Sequence, residues 1–163
     1  MPHNTGEIHG RAGALRSCNM TYTDRFALVR EHFHTIKPQR ALLSELVVRR
    51  LGGLSATTRR FTTGRETELA GEFAKAMWKV VYGSADLGDW EAPLLALGEH
   101  QAARGVRAEH YAIFKGEMLQ ALADVSGGTW TESHAEAWDS FLHCVCGLLI
   151  RGGSRAERVR RAA

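Results

Sequence analysis

Residues 97–125 read LGEHQAARGVRAEHYAIFKGEMLQALADV. Within them Tyr111, Phe114, Met118, Ala121, Leu122 and Val125 fall at offsets 0, 3, 7, 10, 11 and 14. That spacing draws a single apolar stripe on an α-helix and fits no strand, whose side chains alternate with a period of two. Just upstream, a helix opening near Asp89 carries Pro93 in its early part, then Leu94, Leu95 and Leu97, and Gly105 ends it. Two helices joined by a short glycine-bearing link pack on each other, which predicts a helical fold.

The same period extends outward in both directions. Thr23 and Asp24 are placed to cap a first helix through Phe26, Leu28, Val29 and Phe33 to about Ile36. Pro38 suits the first turn of a second helix, with Leu42, Leu43, Leu46, Val47 and Leu51 on its apolar side and Gly52-Gly53 as its stop. A short irregular segment then holds Leu54 and Phe61. Thr63 and Glu66 have capping-box spacing and open a long helix through Leu69, Phe73, Met77, Val80 and Val81. After the break at Gly127-Gly128, Thr129 and Glu132 repeat the capping pattern before a last helix with Trp138, Phe141, Leu142, Val145 and Leu149. No strand-like alternation and no internal repeat competes. The expectation is an all-α domain of six or seven packed helices.

The chain has 163 residues, 44% hydrophobic and 24% charged, values that exclude a disordered or fibrous class. It contains no apolar run near the roughly 20 residues of a membrane span. The formal net charge of +3 is unevenly spread: residues 23–150 carry −2, and residues 151–163 carry +4 from five arginines against Glu157. The predicted organisation is a poorly ordered arm over 1–22, a body over 23–150 and an Arg-rich tail over 151–163. Such a tail could touch nucleic acid or an anionic surface. Lacking interleaved aromatics, it reads instead as a solvated disordered end, so neither nucleic acid nor membrane is an expected partner. Cys144 and Cys146 lie two apart, facing about 200° away from each other on a helix, and can neither chelate one ion nor pair. Buried thiols in a reducing interior, with no secretory h-region, point to a cytoplasmic location. His32 and His34 also face apart on a helix, which argues against a metal pair. The tryptophans at 78, 90, 130 and 138 read as packing residues. No Ser/His/Asp set, phosphate-cradling glycine loop or paired carboxylates suggests a hydrolase.

The stretch LGEHQAARGVRAEHY, residues 97–111, resembles bacterial single-domain haemoglobins and the globin domains of flavohaemoglobins, whose segment reads L-G-x-x-H-x-x-x-G-V-x-x-x-H-Y. The similarity continues through AIFKGEMLQAL and, downstream, Gly128-Thr129-Trp130-Thr131 and Ala137-Trp138. Upstream, residues 45–51 match the position of the family's L-F-Y-x-x-L helix, and Phe61 that of its haem-packing phenylalanine. The resemblance spans roughly residues 24–150. It implies a globin fold, haem b, and binding of O2 or another diatomic gas, with Val48, Phe61, Leu69, Phe73, Leu97, Gln101, Val106 and Tyr111 around the haem.

Several positions depart from the family pattern. The family's proximal histidine falls on Gln101, and His100 stands one residue early, a rotation of about 100° and a rise of about 1.5 Å. Glutamine is a poor iron ligand, so His100 is the axial donor this helix offers, brought back by a local shift or bulge. Val48 replaces a tyrosine that, in the family, donates to bound oxygen. Leu69 falls where the family often has Gln or His, with Phe73 one turn on, an apolar set that favours CO or NO over tightly held O2. Tyr111 matches the tyrosine of the flavohaemoglobin Tyr–Glu dyad, but the acid's place falls near Gly153. NO dioxygenase chemistry would need a distal donor, a separate reductase and an electron-transfer partner. The alternative expectation is a haem-free globin-fold sensor or protein-interaction module.

Overall fold

Thr21 caps the first helix. Its hydroxyl accepts the Asp24 N–H at 3.2 Å, and the Asp24 carboxylate accepts the Thr21 N–H at 3.0 Å. These bonds from Thr21 hold the Asp24 carboxyl below its ordinary range. The cap lies two residues earlier than the Thr23–Asp24 reading, and the earlier start lets Tyr22 stack on Phe26. The computed structural model describes residues 20–54, 56–83 and 88–162, apart from the side chains of Thr57 and Phe61. Most of the expected N-terminal arm, residues 1–19, therefore lies outside the described residues.

The described residues form seven α-helices: α1 Tyr22–Thr35, α2 Arg40–Leu54, α3 Ala56–Thr62, α4 Glu66–Tyr82, α5 Gly88–Ala103, α6 Ala108–Ser126 and α7 Glu132–Ala162. Single 3-10 turns cover Lys37–Gln39 and Gly127–Thr129. The described residues contain no strand, and no helix among them is long and apolar enough to cross a membrane. The all-α expectation holds.

Several helix boundaries differ from the expected ones. Gly52-Gly53 does not stop α2, which runs to Leu54, and the segment expected to be irregular forms α3. There the Arg59 carbonyl accepts the hydroxyls of Thr62 at 3.1 Å and Thr63 at 2.9 Å. The Thr63 hydroxyl is thereby spent on α3 and does not cap α4. Glu66 reaches back to the Gly64 N–H at 3.1 Å, across a turn whose φ of +77° suits glycine. At the start of α7, Thr131 and His134 make the reciprocal bonds expected of Thr129 and Glu132. Finally, α7 continues through the Arg-rich stretch to Ala162, where a disordered end was expected.

The core is an aromatic block shared by α1, α5 and α7. Phe26 meets Trp90 edge-on at 5.1 Å and Phe141 at 5.9 Å, and Trp138 meets Phe141 edge-on at 5.5 Å. Edge-to-face pairs at such distances add to the gain from burial. The most extensive helix pairing joins α5 to α7, and glycine makes it possible. A Cβ on Gly98 would lie 2.0 Å from the Leu149 carbonyl oxygen, and one on Gly152 would lie 2.1 Å from that of Leu95. The two backbones touch. Farther out, Arg50 on α2 pairs with Glu117 at 3.5 Å and with Asp124, both on α6, in a half-exposed cluster worth little by itself.

His32 is buried beside this core. His32 accepts the Trp138 indole N–H on Nδ1 at 2.9 Å. Its Nε2 lies 2.9 Å from the Ser126 hydroxyl, which donates onward to the Leu122 carbonyl at 2.6 Å. Nε2 therefore carries the proton and the ring is neutral. Burial first, and the neighbouring His134 second, hold its pKa down at about 4.

Gly98→Ala or Gly152→Ala should each destabilise the protein by about 3 kcal/mol or more in urea unfolding, since backbone and not a flexible side chain must yield. Gly116→Ala, on open helix surface, should be neutral or stabilise by about 0.5–1 kcal/mol. The His32 contribution is full above the unfolded-state value near pH 6.5. It should be lost progressively down to about pH 4, a fall of about 3 kcal/mol, because the unfolded chain takes up the proton first. Stability measured against pH in His32→Leu should lack that slope.

Candidate functional site

The last turn of α5 and the link into α6 bring together two of the predicted positions. Gln101 is half-buried, and its side-chain Oε1 accepts the Tyr111 hydroxyl at 2.6 Å. Its backbone carbonyl accepts the N–H groups of Arg104 and Val106, each at 3.0 Å, closing the link. That closure requires a left-handed residue, supplied by Gly105 at φ +90°. Tyr111 is buried on α6, and burial pushes its phenol up to about 12, so the hydroxyl keeps its proton and donates. Gln101 is thus held at both its amide head and its backbone.

His100 stands on the exposed side of α5. The helix is continuous from Gly88 to Ala103, without the bulge that would turn His100 inward. Rotation of α5 is blocked as well, because Gly98 and Leu95 press backbone to backbone on α7 and the neighbouring positions carry side chains. Gly153, at the place of the flavohaemoglobin dyad's acid, packs against Ala102.

Leu69, Phe73, Leu97 and Val106 do not line the space that Val48 lines. Leu69 and Phe73 are half-buried on α4, and Phe73 meets Phe114 of α6 edge-on at 5.8 Å. Val106 is half-buried against the core, while Leu97 keeps 36% of its surface exposed. Val48 is buried and lines a different space, a cleft of about 720 Å³ between α2, α3 and α4 that takes in neither Leu69 nor Phe73. Phe61 lies on α3, and its side chain lies outside the described residues. The sequence reading missed this cleft. Its signal was the run of small residues Thr67, Ala70, Gly71 and Ala74 facing Ala41, Ser44 and Val48 at helical spacing. His34 is exposed while His32 is buried, so the two do face apart. Cys144 and Cys146 are free, and burial pushes the Cys146 thiol up to about 11.

Comparison with protein families matches the globin family over residues 63–149, more than half of the chain. The chain belongs to the globin family. Comparison with curated proteins gives no match. The matched stretch runs from the start of α4 through α5 and α6 into α7, the elements that carry Gln101 and Tyr111. Globins typically bind haem, and the donor set of this globin can be tested against that group. Gln101, where the resemblance to bacterial haemoglobins would put the proximal ligand, presents an amide oxygen already bonded to a phenol, and the one histidine of α5 is exposed. These residues do not fit an axially ligated iron.

Tyr111→Phe should cost about 1 kcal/mol in chemical unfolding, since water can reach the half-buried amide of Gln101 and replace part of the lost bond. Gln101→Ala should cost a similar amount. A double-mutant cycle should show the two losses to be coupled and not additive.

Proposed function

We propose that this globin works without iron ligation, as a haem-independent helical module that acts through contact with a partner. The observation carrying this reading is the Tyr111–Gln101 hydrogen bond, which commits the proximal position to a bond within the protein. The outward side of His100 and the backbone lock between α5 and α7 support it. No reaction is assigned, because Val48, Leu69 and Phe73, at the positions the resemblance gives to the distal side, carry no hydrogen-bond donor for oxygen chemistry on a haem.

A second reading is binding of haem b with O2, NO or CO as gas ligand, through His100. Membership of the globin family favours it, as do the partly exposed apolar side chains of Leu97, Val106, Leu69 and Phe73. Haemin titration of the purified protein separates the two readings. The haem-independent reading expects no stoichiometric Soret band, and His100→Ala should leave the spectrum unchanged. Gln101→His should raise haem retention by about tenfold or more, since an imidazole would then stand where Tyr111 can orient it. Stoichiometric haem capture by the wild type, with a Soret band that shifts in His100→Ala, would overturn the proposal in favour of the second reading.

A further inference from the structure

The last three to four turns of α7, about 13 residues, carry chemistry that neither reading uses. Beyond Leu149, where the family match ends, the helix runs on to Ala162 with arginine at 151, 155, 158, 160 and 161. All five are exposed. At about 100° per residue, Arg151, Arg155 and Arg158 share a face about 60° wide, and Arg161 borders it. The stripe is about 15 Å long. Arg151 pairs with Glu91 at 3.0 Å, but Arg155, Arg158, Arg160 and Arg161 have no hydrogen bond or ion pair among the described residues.

The extension is anchored at its base. Gly152 is buried against the Leu95 backbone, and Gly153 packs on Ala102, so the arginine helix leaves the body beside the end of α5. Favourable alignment with the helix dipole accounts for cations near a C-terminus, but not for four of them on one segment with a single acidic neighbour, Glu157.

We propose that this arginine-bearing end of α7 docks on the phosphate backbone of double-stranded nucleic acid, without preference for base sequence. Charge complementarity selects a polyanion, and the composition of the segment selects among polyanions. Val159 is the one large apolar side chain after Ile150, too little to enter a bilayer or to form the desolvated centre of a protein interface. No aromatic residue follows Phe141, which removes the stacking platform that single strands require. Arginine can reach guanine edges as well as phosphate, but no Asn, Gln or aromatic side chain in 151–163 adds a second kind of base contact, so phosphate is the expected main contact. Nucleic acid was not an expected partner while this stretch read as disordered. The helix changes that, because it holds the arginines in a fixed row. This docking is independent of whether haem is bound.

Fluorescence anisotropy of the full chain with a duplex of about 20 base pairs tests it, titrated in NaCl from about 50 to about 200 mM. Binding should weaken with salt with a log–log slope of about −3 to −4, be equal across unrelated sequences, and exceed binding to a single strand of the same length. The triple variant Arg155→Gln, Arg158→Gln, Arg161→Gln should lose at least about tenfold in affinity at low salt and flatten the slope by about 2.7. Circular dichroism should show that it keeps its helix content. Absence of duplex binding at low salt, or an unchanged affinity and slope in the variant, would overturn the proposal. So would tighter binding to single strands, to a polyglutamate peptide or to phosphatidylserine vesicles than to the duplex.

Discussion

Two helix backbones touch where Gly98 meets Leu149 and Gly152 meets Leu95, and the placement of nearly everything else depends on that contact. With no side chain between them, α5 and α7 approach as closely as helices can, and neither can turn or slide without driving a Cβ into a carbonyl oxygen. The rotation of α5 is therefore fixed. Trp90 and Leu94 are turned into the aromatic block, Gln101 is turned toward Tyr111, and His100 is left outside. A one-residue offset between histidine and glutamine, which reads as a small matter in the sequence, becomes a rotation of about 100° that the structure cannot undo.

The polar groups of the interior follow the same logic. His32 and Gln101 each find a specific partner on another helix, Trp138 and Tyr111, and each bond works only with the helices in this placement. Buried polar groups add little net stability when satisfied, but they penalise every arrangement that leaves them unpaired. In a globin this has a functional consequence. At Gln101, where the resemblance to bacterial haemoglobins would put an imidazole for iron, an amide is engaged with a phenol, and the haem-independent proposal rests on that bond. The cleft between α2, α3 and α4 and the exposed arginines of α7 lie away from this interior.

The long helices were legible because their apolar residues recur at spacings of three and four over several turns, a signal that survives whatever else the fold does. The neighbourhood of Gln101 and Tyr111 was legible too, from the spacing around Gly98, Gly105 and Val106. Capping was less so. Thr63 and Thr129 have the right spacing from a glutamate, but their hydroxyls go to the carbonyls of Arg59 and Ser126. A threonine has several backbone groups within reach, and the neighbouring turn decides among them. The short α3 was hidden because seven residues cannot form a stable helix alone and depend on packing. His32 could have been found, since it falls beside the stripe of Phe26, Val29 and Phe33, yet the spacing says nothing of Trp138 and Ser126, 106 and 94 residues away.

The residues alone pointed to an all-α globin chain and to the approximate extent of its main helices. These are local matters, written in residue identity and in a period of 3.6. Only the tertiary structure decided that Gln101 bonds to Tyr111, that His100 stays in solvent, that Val48 lines a separate cleft, and that the arginines of α7 form a row on a helix. Each of these depends on how one helix is rotated against another. That rotation is set by close contact between residues about 50 positions apart, such as Gly98 and Leu149, and no local pattern carries it.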